Sequence, residues 1–187
     1  MRLFIATTFP SEILRELNAA VARVRPRLPS ASWVRQEAQH LTLAFLGEQD
    51  ESLIEELAAP LDTAIGAIPA FQAQIRGAGF FPNARRPRVG WAGLDPEAMF
   101  TALAQRVREV LAAAHVELDG ADFKPHLTLM RIRDSWPPAS IELFNRTLRD
   151  YASESFTVDR VTLYSSRLDP NGAVHTPLRE FELAALS

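Results

Sequence analysis

The chain has 187 residues, 47% of them apolar, with a formal charge of −3 and a pI near 5.8. That length suits one compact domain or two small lobes sharing an interface, and the apolar share can fill a core. The acidic balance excludes a protein that coats nucleic acid by bulk charge, so any such contact is local. With no cysteine there is neither a disulfide framework nor a thiolate metal site. The apolar run before Pro10 is too short for a signal peptide and nothing later reaches membrane-spanning length, so a soluble, cytoplasmic protein is expected. Lysine occurs once, at Lys124; the arginine excess is a compositional bias that carries no functional weight.

In chain order, Arg2 to Thr8 is rich in β-favouring residues and reads as a strand. Ser11 is placed to cap a helix whose apolar stripe is Leu14, Leu17, Val21 and Val24 and which ends near Pro26. The stretches "SWV" and "HLTLAFL" read as strands, Gly47 closes the second, and Asp50 caps a helix that buries Leu53, Ile54, Leu57, Leu61 and Ile65. "FQAQI" and "RVGWAGL" are strand candidates on either side of the turn-rich "GAGFFPNARRP". Asp95 and Pro96 read as the cap and first turn of a long helix with Phe100, Leu103, Val107, Val110 and Leu111 on its apolar face. "HLTLMRI" is the next strand. Ile141, Phe144, Leu148 and Tyr151 suit a shorter helix, and "FTVDRVTLYSS" and "VHTPLREFEL" close the chain as strands.

Strand and helix patterns interleaved in this way favour α+β, with two antiparallel-rich sheets and helices on their outer faces. The second half repeats the first less cleanly, which predicts a bilobal, pseudo-twofold unit over residues 1–187. The tetrapeptide "HLTL" occurs at His40 and again at His126, using two of the four histidines. Alternation along a strand points His40 and Thr42 one way and Leu41, Leu43 and Phe45 the other, and it does the same for His126 and Thr128 against Leu127 and Leu129. Two such strands with their free faces inward would line a central cleft with two imidazoles and two hydroxyls. One imidazole can then accept a proton while the other donates one, and the threonine hydroxyls suit phosphoryl oxygens as charge builds on them. In-line displacement at phosphorus needs groups on opposite sides, which one histidine per lobe supplies without a metal or cofactor. A strained phosphodiester such as a 2',3'-cyclic phosphate at an RNA end fits that pair best.

Taken together, "RLFIA", "HLTLAFLGE", "FFPNARRPRVGWAGL", "FKPHLTLMR", "VTLYSSRL" and "LREFEL" resemble the two-histidine phosphoesterase superfamily. Within it they resemble the bacterial and archaeal RNA 2',3'-cyclic phosphodiesterases once described as 2'-5' RNA ligases. The resemblance covers nearly the whole chain. It implies metal-independent hydrolysis of 2',3'-cyclic phosphates to 2'-phosphates, with reversible 2'-5' ligation as a further capacity. By the same resemblance His40 is the proton donor to the 3' oxygen, His126 the base that activates water, and Thr42 and Thr128 hold the phosphate. His175 stands where relatives commonly carry a tyrosine.

Other residues are weaker candidates. Arg131 suits phosphate as a guanidinium, but alternation sets it opposite His126, so only a strand end or bulge would bring it round. Arg85, Arg86 and Arg88 read as solvated loop arginines, Phe9 and Trp33 as core, His115 as a helix-end residue, and His175 as a strand residue without a catalytic role. The expected partners are RNA cyclic-phosphate ends or cyclic nucleotides, met by a monomer without membrane contact. Two alternatives belong to other classes. One is a nucleotide- or RNA-binding module that keeps the cleft without turnover. The other is a metallohydrolase, disfavoured by the lack of H-E-x-x-H or short histidine spacing, although Glu37, Glu48 and Asp122 lie nearby in sequence.

Overall fold

The computed structural model describes residues 1–118, 122–169 and 172–186. The elements run β1 (Arg2–Thr7), α1 (Ser11–Val24), β2 (Ser32–Trp33), β3 (Leu41–Glu48), α2 (Ser52–Gly66), β4 (Phe71–Phe81), β5 (Val89–Asp95), α3 (Glu97–Ala113), β6 (His126–Arg131), α4 (Pro138–Leu148), β7 (Phe156–Val158), β8 (Arg160–Asp169) and β9 (Gly172–Glu182). They form the expected α+β architecture, with two antiparallel sheets ordered β3-β1-β8-β9 and β2-β6-β5-β4-β7. Helix α1 packs against α4 and α2 against α3, while α3 reaches both β3 and β5 and so backs both sheets.

The sheets are not successive halves of the chain. The last two strands, β8 and β9, complete the sheet that holds β1 and β3, and β2 crosses over to pair with β6. Duplication read along the sequence therefore misassigns the C-terminal hairpin. Its partner is β1, whose Leu3 and Ile5 are almost wholly buried and need strands on both sides.

The apolar stripes behave as periodicity requires. Leu14, Leu17, Val21 and Val24 of α1 are buried, as are Leu53, Leu57, Leu61 and Ile65 of α2 and Phe100, Leu103, Val107 and Leu111 of α3. Ile54 and Val110 sit at the edges of their stripes, and Tyr151 lies beyond the end of α4; all three are partly buried. The expected caps are absent. Ser11 is the first residue of α1 and its hydroxyl reaches Glu12, Asp50 offers only its backbone carbonyl to Leu53, and Asp95 is the last residue of β5. The capping positions are Pro10, Glu51 and Pro96, one residue away from the side chains read as caps, and none of the three makes a side-chain cap bond. His115 ends α3 in the left-handed region at φ +58, with its N–H on the Ala112 carbonyl and the Val116 N–H on that of Leu111, a Schellman closure.

Strand β4 runs through the stretch that reads as turn in sequence. Gly79, Phe80 and Phe81 pair with Trp91, Gly90 and Val89. Gly79 is required there by packing, because a Cβ at that position would run into the Trp91 indole.

Candidate active site

Strand β3 begins one residue after His40 and β6 begins at His126, and the two strands lie against each other where the sheets meet. Leu41, Leu43, Leu127 and Leu129 are all fully buried, each worth about 1.5–3 kcal/mol on leaving water. That burial fixes the opposite face, which carries half-buried His40, Thr42, His126 and Thr128.

Both motif strands then break alternation at the same place. Opposite β1, Thr42 pairs with Ala6 and Ala44 with Ile5, so Leu43 is an extra residue. Opposite β5, Thr128 pairs with Trp91 and Met130 with Gly90, so Leu129 is extra. These are β-bulges, and each turns the following residues over by one face. Leu43 and Ala44 are consecutively buried, as are Leu129 and Met130. Gly90 makes room for the second pair, since a Cβ there would collide with Met130 Cε.

The next residue on each strand lands on the histidine face. Arg131 therefore shares the face of His126, and its charge is felt by that imidazole. Phe45, expected in the core, instead lies 56% exposed with its ring 6.1 Å from Phe4.

A second device repeats in the two sheets. His40 Nδ1 donates to the Ala38 carbonyl at 2.8 Å and His126 Nδ1 to the Lys124 carbonyl at 2.7 Å, each two residues upstream. A carbonyl can only accept, so both neutral imidazoles carry their proton on Nδ1 and keep the Nε2 lone pair. His40 Nε2 accepts from the Thr42 hydroxyl at 3.1 Å. Burial, the neighbouring His175 and, more weakly, His126 push His40 down to about 4, against the opposing Ala38 bond. His126 is held below its ordinary value, first by burial and then by Arg131 and Lys124, with the bond to the Lys124 carbonyl opposing. Both are neutral at pH 7 in the free protein.

Around His40 the rings close in. Phe4 lies 5.0 Å away, and His175 stands perpendicular to it at 5.2 Å, with burial holding His175 below its ordinary value too. Nδ1 of His175 is buried and has no hydrogen-bond partner. Sequence alone assigns His175 no role; only the pairing of β8 with β9, Ser166 opposite His175, carries it to the site. The two anchoring carbonyls had no signal in sequence either, being backbone groups.

Other candidates lie elsewhere. Phe9 is core against Phe156, Trp33 packs under Arg25, and the Arg85 and Arg86 side chains are exposed on a turn held by Asn83. Arg88 donates to the Arg133 carbonyl. Among the described residues no group of three or more His, Asp or Glu is placed to hold a metal ion.

Residues 9–170 match the 2'-5' RNA ligase superfamily. The chain is 36% identical to the RNA 2',3'-cyclic phosphodiesterase of Thermus thermophilus, covering 98% of this chain and 90% of the relative. It is 34% identical to the Archaeoglobus fulgidus protein of the same name, over 97% of this chain and all of the relative's length (100%). It superposes on the crystal structure of TT0787 of Thermus thermophilus with a TM-score of 0.81, 32% identity and 99% of each chain covered. E. coli LigT complexed with 3'-AMP aligns at a TM-score of 0.73, 27% identity and 97% of each chain.

Proposed function

Because the chain belongs to the 2'-5' RNA ligase superfamily, we propose that it hydrolyses 2',3'-cyclic phosphate ends of RNA to 2'-phosphates, with His40 and His126 as the acid–base pair. The observation that carries this is the doubled anchoring. Each histidine is held through Nδ1 by the carbonyl two residues upstream, and each keeps Nε2 for a proton transfer. His126, neutral and beside a cation, takes the proton of the attacking water. The P–O3' bond breaks as water enters opposite it, and His40 delivers its proton to O3'. The P–O2' bond is untouched, which leaves the phosphate on the 2' oxygen. Thr42, Thr128 and Arg131 meet the non-bridging oxygens as their charge grows.

His40 is neutral at pH 7 in the free protein, yet a donor must be charged. A phosphodiester anion beside it favours the imidazolium and offsets the burial and the His175 repulsion that hold it at about 4. Substrate and donor proton therefore enter together. The same reading takes residues 1–187 as one bilobal unit that acts as a monomer in the cytoplasm, without metal or cofactor.

The test is incubation with nucleoside 2',3'-cyclic phosphates under exhaustive chelation, with the product isomer identified by phosphorus NMR. A 2'-phosphate is expected. A 3'-phosphate, or turnover that returns only with an added metal, overturns the assignment; tight nucleotide binding with no turnover would leave a binding module.

A further inference from the structure

The carbonyls that anchor the two histidines are themselves held by different means. Before His126 stands Pro125, buried, whose ring locks its own φ and restricts Lys124, the residue that carries the anchoring carbonyl. That solution is local in sequence. Before His40 stands Gln39, and a proline could not take its place. The Gln39 N–H donates to the Gln36 carbonyl at 3.1 Å, and Ala38 lies in the short 3-10 helix Gln36–Ala38, a conformation that a following proline disfavours.

The Gln39 side chain supplies the restraint instead. It is 3% exposed. Its Oε1 accepts from Asn18 Nδ2 at 2.8 Å, and its Nε2 donates to Asn18 Oδ1 at 3.0 Å and to the Val34 carbonyl at 3.3 Å. Asn18, on α1, also donates to the Leu14 carbonyl at 2.7 Å. Val34 is tied in turn to the other motif strand, because its N–H donates at 2.9 Å to the carbonyl of Leu129, the bulged residue of β6. Residues 34–39 cross from the second sheet to the first, so one amide side chain links α1, the approach to His40 and the His126 strand. A buried amide pair adds little stability, since two apolar side chains of the same shape would serve about as well. What it supplies is direction, because hydrogen bonds fix a geometry that apolar contact does not.

We infer that Gln39 and Asn18 are positioning residues, whose amide pair fixes the Ala38 carbonyl, and through it His40, at a set distance from the His126 strand. The inference rests on the acid–base reading above. Nδ1 of His40 is held only as firmly as the carbonyl that accepts from it. In-line transfer tolerates little error, and a displacement on the order of 1 Å can lower the rate about 10²-fold.

The experiment replaces both partners at once in the full chain, Asn18→Leu with Gln39→Met, so that neither amide is left buried alone. The denaturant midpoint should stay close to that of the parent. With a nucleoside 2',3'-cyclic phosphate, kcat should fall by a factor of order ten to a hundred while KM changes little. In the nitrogen NMR spectrum of the free protein at neutral pH, His40 should pass from one tautomer, protonated at Nδ1, to a mixture. His126, behind Pro125, should keep its own. Asn18→Ala places a good helix former at a half-buried position of α1 and should show a smaller fall in kcat; it carries the test if the double variant does not fold.

The inference fails if these variants keep the parental kcat and a single His40 tautomer. It fails too if kcat falls only as far as the folded fraction does, or if His126 loses its tautomer together with His40, since either result means general loosening. Absence of hydrolysis in the parent would instead refute the acid–base reading, and the nitrogen spectrum would still decide whether the pair holds His40.

Discussion

The His40 strand and the His126 strand share a tetrapeptide, a bulge at the same leucine and an anchoring carbonyl, and they differ in the residue that the bulge turns outward. Beside His40 that residue is Phe45, within a ring cluster of Phe4, His175 and Tyr164. Beside His126 it is Arg131. One backbone device therefore sets up an aromatic environment in one sheet and a cationic one in the other. The difference teaches that the two imidazoles are told apart by their neighbours alone, since the histidines and their tautomers are alike, and under the proposed mechanism those neighbours separate acid from base.

The largest expected effect comes from removing either member of the pair. His40→Ala and His126→Ala should each lower kcat by about 10²–10⁴. Under the proposed mechanism both act in one transition state, so the double variant should lose far less than the product of the single losses. Full activity in either single variant, measured on a nucleoside 2',3'-cyclic phosphate, would remove that residue from the mechanism.

Next are the groups that receive phosphoryl charge. Arg131→Gln, Thr42→Ala and Thr128→Ala should each lower kcat by a factor on the order of 10², with Thr→Ser retaining more. Phe45→Arg sharpens the contrast, because it makes the two sheets alike. A second cation would hold His40 lower still, and kcat/KM should fall at neutral pH. Equal losses from Phe45→Leu and Arg131→Gln would show that the outward residue only fills space.

The smallest effect concerns His175. Its charge is the second cause, after burial, of the low His40 value. His175→Phe keeps a ring against His40 and Phe4 without a titrating group. Where His175 would itself be charged, more of the protein then carries the donor proton, so kcat/KM should rise between about pH 4 and 6.5 and be unchanged above that window, and His40 should titrate higher by NMR. His40 also links pH to stability. Unfolded it binds a proton below its ordinary 6.5, and folded only below about 4. The unfolded state holds more protons between those values, so stability is lost as pH falls through that window. Denaturant midpoints for the parent should drop between pH 6.5 and 4, and His40→Phe should flatten that slope.

Helix stripes, strand order along the chain and the doubled tetrapeptide were legible because each is local: a period of 3.6 or 2 needs only neighbours in sequence. So was the identity of the four motif residues, since burying Leu41, Leu43, Leu127 and Leu129 leaves His40, Thr42, His126 and Thr128 one face to occupy. The caps at Ser11, Asp50 and Asp95 were legible as residue types but not as bonds, because each helix starts one residue away from the register its cap would need. The positions of Phe45 and Arg131 depended on a bulge, and a bulge is a mismatch between two strands that neither strand encodes alone. Strict alternation gave the wrong face for both.

Sequence by itself determined that the His-x-Thr pair comes in two copies and which groups are candidates for the proton chemistry. Tertiary structure decided which copy has a cation and which a ring cluster, where His175 lies, and which carbonyls fix the tautomers. Those depend on β1 and β5 pairing out of step with β3 and β6, and on β9 folding back beside β8. Contacts between strands far apart in the chain form only when the core closes, and the chemistry of each imidazole follows from that closure.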